Sequence, residues 1–102
     1  MESTFAGLAD PTRFRLVELL AEHGELPAGK LAEHFDMTRA GVSRHLRTLE
    51  DAHLVLVRQD AQRRVYRLNP EPFAEIDAWL GRYRRIWGGK FTALRRHLEE
   101  NT

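Results

Sequence analysis

Between positions 38 and 51 the chain reads Thr-Arg-Ala-Gly-Val-Ser-Arg-His-Leu-Arg-Thr-Leu-Glu-Asp. On a helical wheel with Val42 at zero, Leu46 and Leu49 fall within about 40 degrees of it and form an apolar stripe. Ala40, Gly41, Ser43, Arg44 and Arg47 take the outer arc, small towards its N-terminal end and cationic further along. His45 lies at the edge of the stripe. Small residues allow close approach to a bulky polar surface. Ser and Arg side chains can then reach phosphate oxygens and base edges, so the pattern suits a helix entering a DNA major groove. Thr38 and Arg39, at the start of the same segment, join the candidate contact set. On these residues alone two plainer readings stay open: a solvated polar face, and a boundary histidine satisfied within the fold.

A second cationic cluster comprises Arg58, Arg63 and Arg64, with Gln62 between them. Here too there is an alternative, because charge on an exposed hairpin edge protects it from pairing with other chains.

These residues need a frame to position them. Asp10-Pro11 supplies a capping acid and a proline at the first helical position, and Gly24 follows His23 where that helix ends. Leu16, Leu19 and Leu20, with Phe14 and Val17 around the helix, predict an element buried on two sides. A short helix over Ser3 to Leu8 precedes it. Pro27 opens a second short helix, expected to run to Asp36-Met37 with Leu31 and Phe35 on its apolar face. Thr38 is a good N-cap for the helix over 38–51. Two short helices a few residues apart make a helix-turn-helix candidate. Residues 54–58 and 63–68 read as two strands joined at Asp60-Ala61-Gln62.

A long last helix is expected over about 72–99. Its apolar residues fall at 73, 76, 80, 83, 87, 91, 94 and 98, steps of three and four broken once, at Trp87. Gly88-Gly89 sits at that break, where a bend costs few contacts. The stripe is more apolar surface than so small a domain needs, so a helix-pairing seam is its natural destination. An aromatic ligand pocket is the rival reading.

Composition narrows the function further. The 102 residues suffice for one domain, of which folding buries roughly two-thirds of the extended chain's surface. Net charge is +1 and 42% of residues are apolar, so the chain is globular. Of 16 basic residues only Lys30 and Lys90 are not Arg, and the basic ones crowd 39–47, 58–67 and 82–96. Absence of cysteine excludes disulfides and thiolate metal ligation. No signal peptide or membrane span is expected, and the expected location is the cytoplasm. An enzyme is not expected: there is no Cys nucleophile, no Gly-rich phosphate loop, and Ser43 and His45 point to different sides of their helix.

Taken in order, Leu8-Ala9-Asp10-Pro11-Thr12-Arg13, Leu31-Ala32, Val42-Ser43-Arg44-His45-Leu46-Arg47-Thr48-Leu49 and Arg63-Arg64-Val65-Tyr66-Arg67-Leu68 resemble the ArsR/SmtB family of winged helix-turn-helix repressors. The resemblance covers nearly the whole chain. It implies a mainly α fold with a small β-hairpin, in the order α-α-α-α-β-β-α, with the hairpin as the wing. It further implies a homodimer paired through its first and last helices, which places Phe5, Leu8, Trp79, Tyr83, Trp87, Phe91 and Leu94 at the interface. Double-stranded DNA, read as a palindromic operator, is the implied partner. The implied DNA contacts are Thr38, Arg39, Ala40, Gly41, Ser43, Arg44, His45 and Arg47 on the recognition helix, with Arg58, Gln62, Arg63 and Arg64 on the wing.

The sequence departs from the family pattern at two places. Ala61-Gln62 occupy a wing turn that often holds Gly. The second short helix lacks the Cys pair of the metal-sensing members, and in the last helix only His97 and Glu100 stand at ligand spacing. Asp77 lies about 30 Å from His97 along a straight helix. No regulatory metal and no cofactor is therefore expected, which leaves a small molecule or a protein as the effector. The remaining alternatives are a winged-helix module for protein interaction alone, and a repressor sensing metal through a non-cysteine site.

Overall fold

Helix starts are set where capping chemistry is strongest. The computed structural model describes residues 1–100, apart from the side chain of Phe91. It opens with α1 (Glu2–Leu8), followed by α2 (Pro11–His23). The Asp10 carboxylate caps α2 by accepting from the N–H groups of Thr12 at 2.8 Å and Arg13 at 3.0 Å. Gly24 ends α2 at φ 82°, a conformation that L side chains avoid.

Next comes a strand that sequence periodicity does not reveal, β1 (Glu25–Pro27), and then α3 (Ala28–Ala32). The helix expected from Pro27 to Asp36 is thus only five residues long, with Pro27 as its N-cap. Beyond Ala32 the chain tightens into three-residue turns, His34 N–H bonding to Leu31 O and Phe35 N–H to Ala32 O at 3.2 Å each. Phe35 is only half-buried there. Helix α4 (Arg39–Asp51) begins where Thr38 Oγ1 accepts the Gly41 N–H at 3.0 Å.

The hairpin consists of β2 (Val55–Asp60) and β3 (Arg63–Leu68), paired antiparallel with Val57 opposite Tyr66 and Asp60 opposite Arg63. β1 adds to the free edge of β3, Leu26 opposite Tyr66, so the sheet has three strands in the order β1-β3-β2. Pro27 is tolerated because β1 is an edge strand.

The chain divides into two compact units, Met1–Pro72 and a second beginning at Phe73. In the first, Leu16, Leu19, Leu20, Leu31, Val42, Leu46, Leu49 and Leu54 are almost wholly buried, joined by Val65 and Tyr66 of β3. The stripe Val42, Leu46, Leu49 therefore packs α4 as its periodicity predicts. Gly7 of α1 is buried so closely that a Cβ there would lie 2.6 Å from Leu54 Cδ1. The expectation that α2 buries two faces is corrected: Phe14 is 51% exposed, because the leucines lie on one side only.

Helix α5 (Pro70–Glu100) runs unbroken through Gly88 and Gly89. Trp79 and Tyr83 meet edge to face with centroids 5.0 Å apart, and Lys90 Nζ sits 4.5 Å from the centre of the Trp87 ring. Arg84 Nη2 binds Asp77 Oδ1 at 3.0 Å. Among the described residues no helix is long and apolar enough to cross a membrane.

Candidate nucleic-acid interface

With its apolar stripe turned into the core, α4 presents Arg39, Ala40, Ser43, Arg44 and Arg47 to solvent, and Gly41 is half-buried. Among the described residues, Arg39, Arg44 and Arg47 have no ion-pair partner. Their charge is therefore available to an incoming polyanion. Thr38 has its hydroxyl committed to the helix cap.

His45 turns the other way. Its Nδ1 lies 3.4 Å from Arg13 Nη1 and 3.8 Å from Asp10 Oδ2, at the α2 cap. The boundary reading of this residue therefore has a concrete partner set.

Beside α4 runs an open groove of about 720 Å³, lined by α3, the start of α4 and the wing tip. Its polar lining includes Lys30, Arg39, Ser43, Gln62, Arg63 and Arg64. Gly29 also lines this groove, and a Cβ there would stand 3.3 Å from Arg39 Nη2. Lys30 and Gly29 escape sequence reasoning because only the α3–α4 turn brings them beside the wing.

The wing arginines, unlike those of α4, are paired within the chain. Arg58 holds Glu25 with two bonds, of 2.7 and 3.0 Å, across the sheet, and its guanidinium keeps the Glu25 carboxyl below the ordinary value near 4.5. Arg58 does not line the groove. Arg63 binds Asp60 at 2.6 Å, which lowers the Asp60 carboxyl in the same way. Arg64 reaches Glu50 of α4 and the Tyr66 hydroxyl, each at 3.2 Å. Gln62 is exposed at the turn, where Ala61 takes φ 57°.

On the terminal helices, Phe5 is 45% exposed, Tyr83 43%, Trp87 40% and Leu94 55%, while Leu8 and Trp79 are half-buried. The expectation for Phe91 lies outside the described side chains. Trp79, Leu80, Tyr83, Arg84 and Trp87 line a shallow apolar depression of about 410 Å³ along α5. Among the described residues no three His, Asp or Glu side chains come together as a metal site.

A short helix, a turn, a helix with a small and cationic outer face, and a basic hairpin beside it define a winged helix-turn-helix DNA-binding protein. A family model described as a helix-turn-helix domain matches residues 8–58. The HTH-type transcriptional regulator Rv2034 of Mycobacterium tuberculosis is 42% identical over 80% of this chain and 76% of its own length. The transcriptional repressor SdpR of Bacillus subtilis is 31% identical over 78% and 88%. Among solved structures, an ArsR family transcriptional regulator aligns at TM-score 0.73 and 30% identity, over 85% of this chain and 89% of that one. A homodimeric winged helix-turn-helix DNA-binding domain from Mycobacterium bovis aligns at TM-score 0.66 and 26% identity, over 82% and 77%. The chain belongs to the ArsR/SmtB-type family of winged helix-turn-helix transcriptional regulators.

Proposed function

We propose that this regulator is a homodimeric repressor in which each copy lays α4 in a major groove of a palindromic operator. The observation that carries the reading is the contrast on α4: a buried leucine and valine stripe behind, and in front small residues with three arginines that have no ion-pair partner among the described residues. Ala40, Gly41 and Ser43 permit close approach, while Arg44 and Arg47 reach bases and flanking phosphates. Thr38 and Arg39 hold the start of the helix against the backbone. Arg63, Arg64 and Gln62 make the wing's backbone contacts across the groove they share with Lys30 and Arg39. Arg58, committed to Glu25, and His45, committed to the α2 cap, contribute through the fold.

Dimerisation supplies the second reading head. The exposed aromatic and aliphatic residues on α1 and, separately, along α5 support pairing through these helices, because exposed apolar surface on a helix marks an association site. Pairing fixes the half-sites one helical turn or a multiple apart. The Mycobacterium bovis domain, described as homodimeric, and the Bacillus subtilis relative, named a repressor, support assembly and direction of regulation.

The test is selection of bound duplexes from a random pool, which returns a two-fold symmetric site with a fixed spacing. Arg44→Ala then reduces discrimination between that site and random DNA, whereas Arg64→Ala weakens both by a similar factor. No binding to any duplex at low salt would overturn the reading in favour of a protein-interaction module.

A further inference from the structure

Four cations line the groove between α3, α4 and the wing: Lys30, Arg39, Arg63 and Arg64. Three of them carry a carboxylate partner, Glu33 on Lys30 at 3.7 Å, Asp60 on Arg63 at 2.6 Å and Glu50 on Arg64 at 3.2 Å. Four positive charges against three negative ones leave a net of +1 around a groove that the proposed function assigns to a phosphate strand. On the outer face of α4, by contrast, Arg44 and Arg47 have no carboxylate on them among the described residues. Apart from Arg39, charge is thus neutralised where contacts would be blind to sequence and left bare where they would read it.

We propose that Glu50 and Asp60 act as a brake on sequence-independent DNA binding, holding Arg64 and Arg63 in pairs that a phosphate must displace. This inference rests on the DNA-binding reading of the groove. Exposed ion pairs of this kind are weak enough to exchange, so the brake lowers backbone affinity without abolishing it. Each carboxylate also stays near the incoming phosphate and repels it. Because backbone contacts contribute alike to every sequence, the brake shifts more of the affinity onto α4. Glu50 is well placed for this, being on the same helix as the reading face: docking of α4 carries Glu50 and its arginine towards the DNA together.

The experiment measures the affinity of the full chain for a random-sequence duplex across a salt series, comparing parent, Glu50→Gln, Asp60→Asn and Glu25→Gln. All three substitutions raise the net charge by one, but Glu25→Gln releases Arg58, which does not line the groove. Glu50→Gln and Asp60→Asn are expected to tighten binding by roughly two- to fivefold each. They should also steepen the slope of log K against log salt by up to about 0.9 per released arginine. Glu25→Gln should do neither to a comparable extent.

Equal tightening by all three variants would reduce the effect to net charge and overturn the brake. Weaker binding by Glu50→Gln or Asp60→Asn would mean that the pairs aim the arginines at DNA, and unchanged binding would mean that the arginines do not touch it; either result also overturns it. A loss of fold lowers affinity, so it cannot mimic the expected gain. Failure of the parent to bind the random duplex at low salt would instead remove the DNA-binding reading of the groove itself.

Discussion

Arg13 of α2 reaches to within 3.4 Å of the His45 ring on α4 through Nη1, while its Nε donates to Gly7 O at 2.7 Å and its Nη2 to Ala6 O at 3.3 Å. One guanidinium thus binds two carbonyls in the last turn of α1, one of which, Ala6 O, also accepts the Ala9 N–H at 3.3 Å, and it touches α4. Arg13→Ala leaves those carbonyls without a charged donor. It is expected to lower stability by about 1–3 kcal/mol, with Arg13→Lys recovering only part because an ammonium does not reproduce the guanidinium's fork to the two carbonyls. Urea unfolding of the three proteins checks this. A loss below about 0.5 kcal/mol for the alanine variant, well under the usual range for such bonds, would refute it.

The same corner sets an acid limit. Backbone N–H bonds from Arg13 and Thr12, with the charges of His45 and Arg13 nearby, hold the Asp10 carboxyl below its usual value near 3.8. Glu25 is lowered chiefly by its bonds to Arg58, and Asp60 by its bond to Arg63. Each group has a folded pKa below its unfolded one. Its contribution is therefore complete above the unfolded value, about 4, and is lost as pH falls through the folded value. The urea midpoint should be flat in these groups above pH of about 5 and should drop below about 4. In Asp10→Asn, which keeps a capping oxygen but cannot titrate, the drop should be shallower. Parallel curves for parent and variant below pH of about 4 would show that Asp10 is not one of the linked groups.

How much of this was legible in the chain follows from how local each signal is. Asp10-Pro11 and Thr38 announce α2 and α4 because a cap acts within three residues. Val42, Leu46 and Leu49 announce their buried face because helical periodicity repeats over thirteen residues. β1 leaves no such trace: three residues ending in proline become a strand only because β3, some forty positions later, offers a free edge. Phe14 reads as core by type, yet lies off the single face that α2 buries. The wing arginines are obvious as charges, but their partners are not, since Glu25 is 33 residues from Arg58 and Glu50 is 14 from Arg64. Sequence could identify the cations of the interface but not which of them the fold had already neutralised.

Gly7 and Leu54 form a pair that tests the seating of α1. A methyl group at Gly7 would overlap Leu54 Cδ1 at 2.6 Å, and Leu54 is fully buried. Gly7→Ala is expected to cost about 1–3 kcal/mol by overpacking, despite alanine's better helix propensity. Leu54→Ala alone costs about 2–5 kcal/mol as a cavity. The double variant should be more stable than the sum of the single losses predicts, because the new methyl occupies part of the vacated space. Strict additivity in a thermal-unfolding cycle would show that the two side chains do not meet.

The wing turn and the end of α2 together offer a matched pair of substitutions with opposite signs. Ala61 sits at φ 57° and Gly24 at φ 82°, so an L side chain is strained at one and absent at the other. Gln59 Nε2 donates to Ala61 O at 3.1 Å across the turn. The left-handed conformation costs a residue with a Cβ about 1–2 kcal/mol. Against this, exchanging alanine for glycine loses about 0.4–1 kcal/mol through the greater freedom of the unfolded chain. The net expectation is that Ala61→Gly stabilises the protein by about 0.5–1 kcal/mol. Gly24→Ala should destabilise it by a similar amount, through backbone strain alone, since no atom lies within 4 Å of the added Cβ. Both are read from shifts in the thermal midpoint at fixed protein concentration, because the proposed dimerisation would make the midpoint concentration-dependent. If Ala61→Gly lowers the midpoint, the turn does not hold Ala61 in the left-handed region, and the tip of this wing is shaped differently from the geometry that places Gln62 and Arg63 beside the groove.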